Sequence, residues 1–380
     1  MSKRVKTDWY LLLTVAMMVA FGLVMVYSAS SVVAEVKFKE ETYHFAWRQA
    51  LIAALSLGAL LYLKRRDYHF LQSPGWAFAC LGSVLILLVA VYFADARSHR
   101  WFRIIGFQLQ PSELAKPALS IFLAYFVTLR ARNINDRHTL WPAAMAVACL
   151  AVCVVIADLG TAVVLVATAA AVFYVAGLER RYIIGAGVVA VLLVGLAIAS
   201  KPYRLARILG YAGPLTTVLD VVDPKGYVKG YAHSSLATSD TSYQARQSRI
   251  AVGAGGVLGV GLMQGTQKLL YLPEAHTDFI YAVVGEELGL WGCTAVLAGF
   301  MVILWRGLRL FWMVPDDFGR YLALGITISV VGQALINMGV VLDVLPTKGI
   351  PLPMISYGGS SLLSTLTSLG LLMSVSDHSG

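Results

Sequence analysis

The sequence predicts an all-α polytopic membrane protein of about ten transmembrane helices, organised as a single domain over residues 1–380. Two observations carry this. The chain is 58% hydrophobic and only 13% charged, where a soluble domain carries about 25% charged residues, and its mean hydropathy is +0.72. Apolar runs of about 20 residues, enough to cross a hydrocarbon core, recur along its length.

The first run, 9–30, follows Lys3, Arg4 and Lys6 and ends at Ser28-Ala-Ser30. It is too long for a signal peptide and is expected to stay in the protein. A run at 44–63 ends on Lys64-Arg65-Arg66, and a third spans 76–93. The connection 94–112 holds Arg100-Trp-Phe-Arg103 and Gln110-Pro-Ser-Glu113. Runs at 113–130, 140–157, 159–178 and 183–200 follow, the middle pair meeting at Asp158. Residues 201–277 form one long segment, whose stretch 243–272 alternates polar residues with Val, Leu and Gly. Short amphipathic or re-entrant pieces are expected there, since non-helical backbone at membrane depth must be buried in protein or line a cavity. The last runs are 279–305, 319–341 and 355–374.

About half of the 30 Lys and Arg fall in short loops on one side: Lys3, Arg4, Lys6, Lys64, Arg65, Arg66, Arg130, Arg132, Arg137, Arg180, Arg181, Arg306, Arg309 and Arg320. By the positive-inside rule both termini are cytoplasmic, and the long segment between helices 7 and 8 lies outside. These loops account for much of the net charge of +9 without any nucleic acid. Basic residues remaining on the outer side suggest an anionic partner such as a lipid phosphate. The four cysteines, Cys80, Cys149, Cys153 and Cys293, lie inside spans at no disulfide or zinc spacing and are expected to pack.

Ionisable groups at a membrane edge are costly, so Glu274, His276 and Asp278, just before the span at Phe279, are the leading site candidates. A carboxylate beside a lipid-facing groove can take a proton from a sugar hydroxyl or hold a divalent cation. Thr277 or Asp278 could also simply N-cap the span, although a cap needs one such residue, not three. Glu113 and Lys116, three apart, share a helix face and should pair, as a structural lock or a substrate contact. Asp158 reads first as a helix cap and second as a cavity carboxylate. Arg100, Trp101 and Arg103 suit phosphate and sugar binding, and Arg204 and Arg207 suit it less strongly. Lys348-Gly349 with 356–361, Ser-Tyr-Gly-Gly-Ser-Ser, is an anion-nest candidate through Lys348, Ser356, Gly358 and Gly359. Of Glu286 and Glu287 at least one must face the interior, and Gln333 and Asn337, one turn apart, should bond between helices. By themselves these residues fit either an enzyme acting on a lipid-linked phosphate or a transporter moving it.

The order of motifs is more specific. Arg100-Trp101, Gln110-Pro-Ser-Glu-Leu-Ala-Lys116, Asp158-Leu-Gly-Thr161, Tyr203-Arg-Leu-Ala-Arg207, the run from Tyr271 to Asp278, Gly285-Glu-Glu-Leu-Gly289 and Pro346 to Pro353 stand in sequence. With them the chain resembles the SEDS family (shape, elongation, division and sporulation proteins), over nearly its whole length. Leu345-Pro-Thr-Lys-Gly349 and Leu272-Pro-Glu-Ala-His276 are the FtsW-like division spellings rather than the RodA-like elongation ones.

The resemblance implies a peptidoglycan glycosyltransferase of the bacterial inner membrane, at the division site, polymerising lipid II and releasing undecaprenyl pyrophosphate. It implies Asp278 as the essential carboxylate and a class B penicillin-binding protein as partner, among other division proteins. Arg100, Trp101, Arg103, Glu113, Lys116, Asp158, Arg204, Arg207, Lys268, Glu274, His276, Lys348, Ser356, Gly358 and Gly359 are the expected substrate contacts. A divalent cation (Mg or Mn), with Asp278 as a ligand, is the one cofactor envisaged, and no organic cofactor is expected. The alternative is a lipid II flippase, with the same charges lining a transport path.

Overall fold

The computed structural model describes residues 7–38, 41–95, 98–104, 107–199, 240–345 and 349–378. Eleven α-helices are found among them. The first seven are α1 (Trp9–Val33), α2 (His44–Arg65), α3 (Pro74–Ala94), α4 (Pro111–Arg130), α5 (Arg137–Ala157), α6 (Leu159–Val175) and α7 (Arg180–Ala199). The rest are α8 (Asp240–Gly255), α9 (Ile280–Met313), α10 (Asp317–Val341) and α11 (Gly359–His378). Eight of these are long and apolar enough to cross a membrane, and α6 is a shorter apolar helix, so the chain is a multi-pass membrane protein. Each of the ten predicted runs overlaps a helix, and α6 and α7 are the two that are not among the eight spans.

Local chemistry starts the helices where the sequence allows. Asp8 caps α1 by accepting from the Leu11 amide at 3.1 Å. Ser73 caps α3, with Pro74 in the first turn where its missing N–H is harmless. The first helix is packed into the bundle, with Leu11, Val15, Met25 and Val26 in the core. Helices α4, α10 and α11 form the buried centre, while α2, α3 and α5 turn broad apolar faces outward. Cys293 is buried as expected, but Cys149 lies on the exposed side of α5, where lipid would cover it.

Asp8, just before α1, and Asp377, in the last turn of α11, lie at one end of the bundle with Lys64 and Arg306. Lys64 pairs with Asp377 at 3.2 Å, Arg306 with Asp8 at 2.6 Å, and Tyr68 donates to Asp316. This brings Lys64 and Arg306, two of the residues that the positive-inside rule assigned to a common side, to one end.

Three features depart from the expected plan. The connection 94–112 contains a small antiparallel hairpin, β1 (Phe102–Ile104) with β2 (Phe107–Leu109), pairing Arg103 with Gln108. Within the long segment, α8 is a full helix packed on α9, and residues 256–279 continue in turns. Residues 201–239 lie outside the described residues. Finally, α9 is broken at Gly289, whose φ of 64° and ψ of −156° interrupt the helical ladder. The turn after α8 fills the break: Val260 N–H donates to Glu286 O, Gly261 N–H to Glu287 O, and Leu290 N–H to Gly256 O, each at 3.0 Å. A Cβ on Gly259 would overlap the carbonyl of Glu287, so this close backbone approach requires glycine.

Candidate active site

The end of the bundle opposite the basic loops gathers most of the predicted site. Asp278 stands in a turn two residues before α9 and is half-buried. The helix starts at Ile280 with Phe279 in the cap position, and no side-chain bond is made from that position. The turn is fixed by Glu274, at φ 56°, whose carbonyl accepts from the amides of Thr277 and Phe279 at 3.2 Å. The exposed Glu274 carboxylate accepts the Thr277 hydroxyl at 2.8 Å.

Three neighbours hold the main chain at this turn. Tyr357 N–H donates to His276 O at 2.9 Å, Ser356 Oγ–H to Thr277 O at 2.5 Å, and Asn337 Nδ2 to Asp278 O at 2.8 Å. Asn337 also donates to Ile350 O at 2.6 Å. Around them Phe45 of α2 packs against His276 and Tyr357, with centroids 5.2 Å away in both cases. Gly349 lies directly on the Asp278 carboxylate, leaving no space for a side chain of its own.

The anion-nest reading of 356–361 meets a different geometry. Gly358 N–H is taken by Gln49 Oε1 at 3.3 Å, Gln49 Nε2 donates to Ser356 O at 3.2 Å, and Ser356 Oγ accepts from Leu352 N–H at 2.7 Å. Ser356 and Gly358 are therefore engaged in tying α2 and the pre-α11 turn to the Asp278 turn. Gly359 is the first residue of α11. Lys348, Arg204 and Arg207 lie outside the described residues.

Next to this turn, Lys116 and Glu113 pair at 2.7 Å as their spacing predicted, with exposures of only 5% and 0%. Lys116 also donates to Gln333, which donates on to Pro351 O at 2.8 Å. The pair thus joins α4 to α10 and to the segment carrying Gly349. Gln333 bonds between helices as expected, whereas Asn337 bonds to turns.

Asp158 takes up the cap weighed for it and adds an ion pair. Its Oδ1 accepts from Gly160 N–H at 3.0 Å at the start of α6, and its Oδ2 receives Arg100 at 2.8 Å. Gln110 Nε2 approaches the same oxygen at 3.4 Å. Arg100 also sits over the Trp101 ring, 5.8 Å from its centroid. Asp95 shapes this corner: the Ser98 hydroxyl first, then the amides of Arg100 and Trp101, hold its carboxyl well below the usual carboxylate range. Arg103 projects from the hairpin, exposed. A Cβ on Gly160 would overlap Ile350, which places the Asp158 corner against the strand of chain carrying Gly349.

Lys268 is placed differently from the other candidates. It is sealed in the bundle at 2% exposure, 2.5 Å from Glu287 and 2.9 Å from Ser28 of α1. Both glutamates of the Gly285–Gly289 motif are buried. Glu286 accepts from the amides of Thr266 at 2.7 Å and Gln267 at 3.1 Å, and Glu287 from Ser28 Oγ–H at 2.6 Å. These serve the fold.

Among the described residues no three His, Cys, Asp or Glu side chains gather as a metal-binding group. The partners that sequence reasoning missed are Gln49, Phe45 and Asp95, and the Asp278 contact of Gly349. Only the polar Gln49 inside an apolar run left a signal.

A family model described as "Cell cycle protein" (FtsW, RodA, SpoVE) matches residues 8–380. The probable peptidoglycan glycosyltransferase FtsW of Geobacter metallireducens is 39% identical over 97% of this chain and 94% of its own length. Stage V sporulation protein E of Bacillus subtilis is 36% identical over 100% and 99%. In structure, the chain matches one chain of a peptidoglycan synthase complex that coordinates polymerization and crosslinking, with TM-score 0.71, 26% identity and 98% of each chain covered. It matches the rod shape determining protein RodA of Thermus thermophilus with TM-score 0.67 and 25% identity, over 99% of this chain and 98% of that one. The motifs, the helical plan and the matched lengths agree, and the chain belongs to the FtsW/RodA/SpoVE family of cell cycle proteins.

Proposed function

We propose that the protein is a peptidoglycan glycosyltransferase that polymerises lipid II into β-1,4-linked glycan at the outer face of the bacterial inner membrane, during division. The observation that carries this reading is the Asp278 carboxylate, half-buried at the end of the bundle away from the basic loops, on a turn held by three neighbours. A general base must be presented in fixed geometry to the proton it removes.

Asp278 takes the proton from the 4-hydroxyl of the acceptor GlcNAc as that oxygen attacks C1 of the donor MurNAc. The bond from C1 to the pyrophosphate oxygen breaks on the opposite face, C1 inverts, and undecaprenyl pyrophosphate leaves with the bonding electrons. The cleaved bond supplies the driving force, so no nucleotide is needed. Arg103 on the exposed hairpin edge and Lys348 are the cations best suited to the developing phosphate charge. Lys116, already bonded to Glu113 and Gln333, acts by fixing α4 against α10. Arg100 and Trp101 present a charged and aromatic surface on the corner built by Asp95 and Asp158. A single-span class B penicillin-binding protein would be the crosslinking partner.

The deciding experiment is polymerisation of labelled lipid II by the purified protein with its class B partner, for wild type and Asp278→Asn. Strands from wild type and at least a hundredfold loss in the variant support the reading, as expected for removal of a general base. Normal polymerisation by Asp278→Asn rejects the base. No strands from wild type, with lipid II crossing vesicle bilayers instead, would identify a flippase.

A further inference from the structure

Three consecutive carbonyls, His276 O, Thr277 O and Asp278 O, are each caught by a donor from elsewhere in the fold. The donors are the Tyr357 amide, the Ser356 hydroxyl and the Asn337 amide group, and they come from the pre-α11 turn and from α10. Few turns are bonded at every residue from outside, because turn carbonyls at a surface are usually left to water. Each donor is itself fixed. Ser356 Oγ accepts from Leu352 N–H at 2.7 Å, so its own hydrogen must point to Thr277. Asn337 divides its two hydrogens between Asp278 O and Ile350 O, the residue next to Gly349. Gln49 grips both sides of Tyr357, through Ser356 O and Gly358 N–H. Gln49, Ser356 and Asn337 are buried, where a lost hydrogen bond is not replaced cheaply by water.

We infer that Ser356 and Asn337 are positioning residues that lock the main chain of the Asp278 turn, and that Ser356 acts on the backbone rather than on the substrate. This rests on the assignment of Asp278 as the base. With the three carbonyls fixed, the carboxylate has only its own two torsions left to set, and Gly349 closes one side of that space. Loosening the turn leaves the substrate contacts in place but lets the base leave its reacting geometry, so turnover falls while substrate affinity holds. A displacement of about 1 Å at a reacting group suffices for about a hundredfold loss.

The test compares full-length wild type, Ser356→Ala and Asn337→Leu, each with its class B partner, using lipid II. Turnover is counted per folded molecule from size-exclusion, and amide hydrogen exchange is followed in the peptide covering 272–280 and in the rest of α9. The expected result is a kcat at least tenfold lower in both variants and a KM within about twofold of wild type. Exchange should quicken in the Asp278 turn and stay unchanged along α9, a pattern that general destabilisation does not give. Where one variant does not fold, the other decides. A kcat within twofold of wild type, or a lower kcat with unchanged exchange in the turn, overturns the inference. So does a tenfold rise in KM with the turn still protected, which would make Ser356 a substrate contact. Asp278→Asn is run alongside: its full activity would reject the base, while the exchange data would still report whether the lock exists.

Discussion

Gly349 presses its α-carbon side against the Asp278 carboxylate so closely that a Cβ built there would fall within the carboxyl group. Glycine in this position makes room for the carboxylate. The neighbouring backbone cannot give way easily, because Asn337 ties Ile350 O and Asp278 O together at 2.6 and 2.8 Å. A methyl group here would therefore turn the carboxylate rather than open the fold. Gly349→Ala is expected to lower lipid II polymerisation at least tenfold, about 1.4 kcal/mol in the barrier, with little change in the melting temperature in detergent. Wild-type rates from Gly349→Ala would mean that the carboxylate can serve from another rotamer.

Asp158 joins two functions that substitution can separate. One oxygen caps α6 through Gly160 and the other receives Arg100. Asparagine is as good an N-cap as aspartate but carries no charge for the guanidinium. Asp158→Asn should thus retain the cap and lose the ion pair, whereas Asp158→Leu loses both. Thermal unfolding should rank wild type above Asn and Asn above Leu, the last two separated by about 0.5–2 kcal/mol. Equal losses in the two variants would show that the cap contributes nothing.

The parts of this site that were legible in the sequence are those set by spacing along one helix or by the cost of charge in lipid. Glu113 and Lys116 pair because three residues bring them to one face, and the pair is there. At least one of Glu286 and Glu287 was required to turn inward, and both are buried. What spacing could not give is the partner across the fold. Lys268 carries the same charge as a phosphate ligand would, and only the packing of its loop on α9 shows that Glu287 consumes it. Ser356 and Gly358 have the composition of an anion nest, yet Gln49, more than 300 residues earlier in the chain, takes the Gly358 amide. Nor could spacing give the start of α9: the Glu274 carbonyl bonds the Phe279 amide, and the helix begins only at Ile280. In the long segment the mixed polar and apolar pattern pointed to short amphipathic pieces without placing them; α8 sets one face on α9 and leaves the other exposed.

The Lys268–Glu287 pair supplies the strongest stability prediction. It is almost fully enclosed, 2.5 Å long, and shares Ser28 of α1, so it binds the turn after α8 to both α9 and α1. A buried pair gives little net stability over an apolar substitute of the same size, but breaking it strands a charge. Lys268→Met should therefore cost about 3–5 kcal/mol, leaving Glu287 with only Ser28 and the Met263 amide as donors. Lys268→Met combined with Glu287→Leu should recover much of that loss, because no charge is then left unpaired. Because the same stretch of chain runs on to Asp278, polymerisation should fall with the single variant and rise again with the double one. The measurement is thermal unfolding in detergent, with activity assayed on the same preparations. A single variant as stable as wild type would mean that Glu287 finds another partner. A double variant no better than the single one would mean that the pair, and not the avoidance of a stranded charge, holds the turn in place.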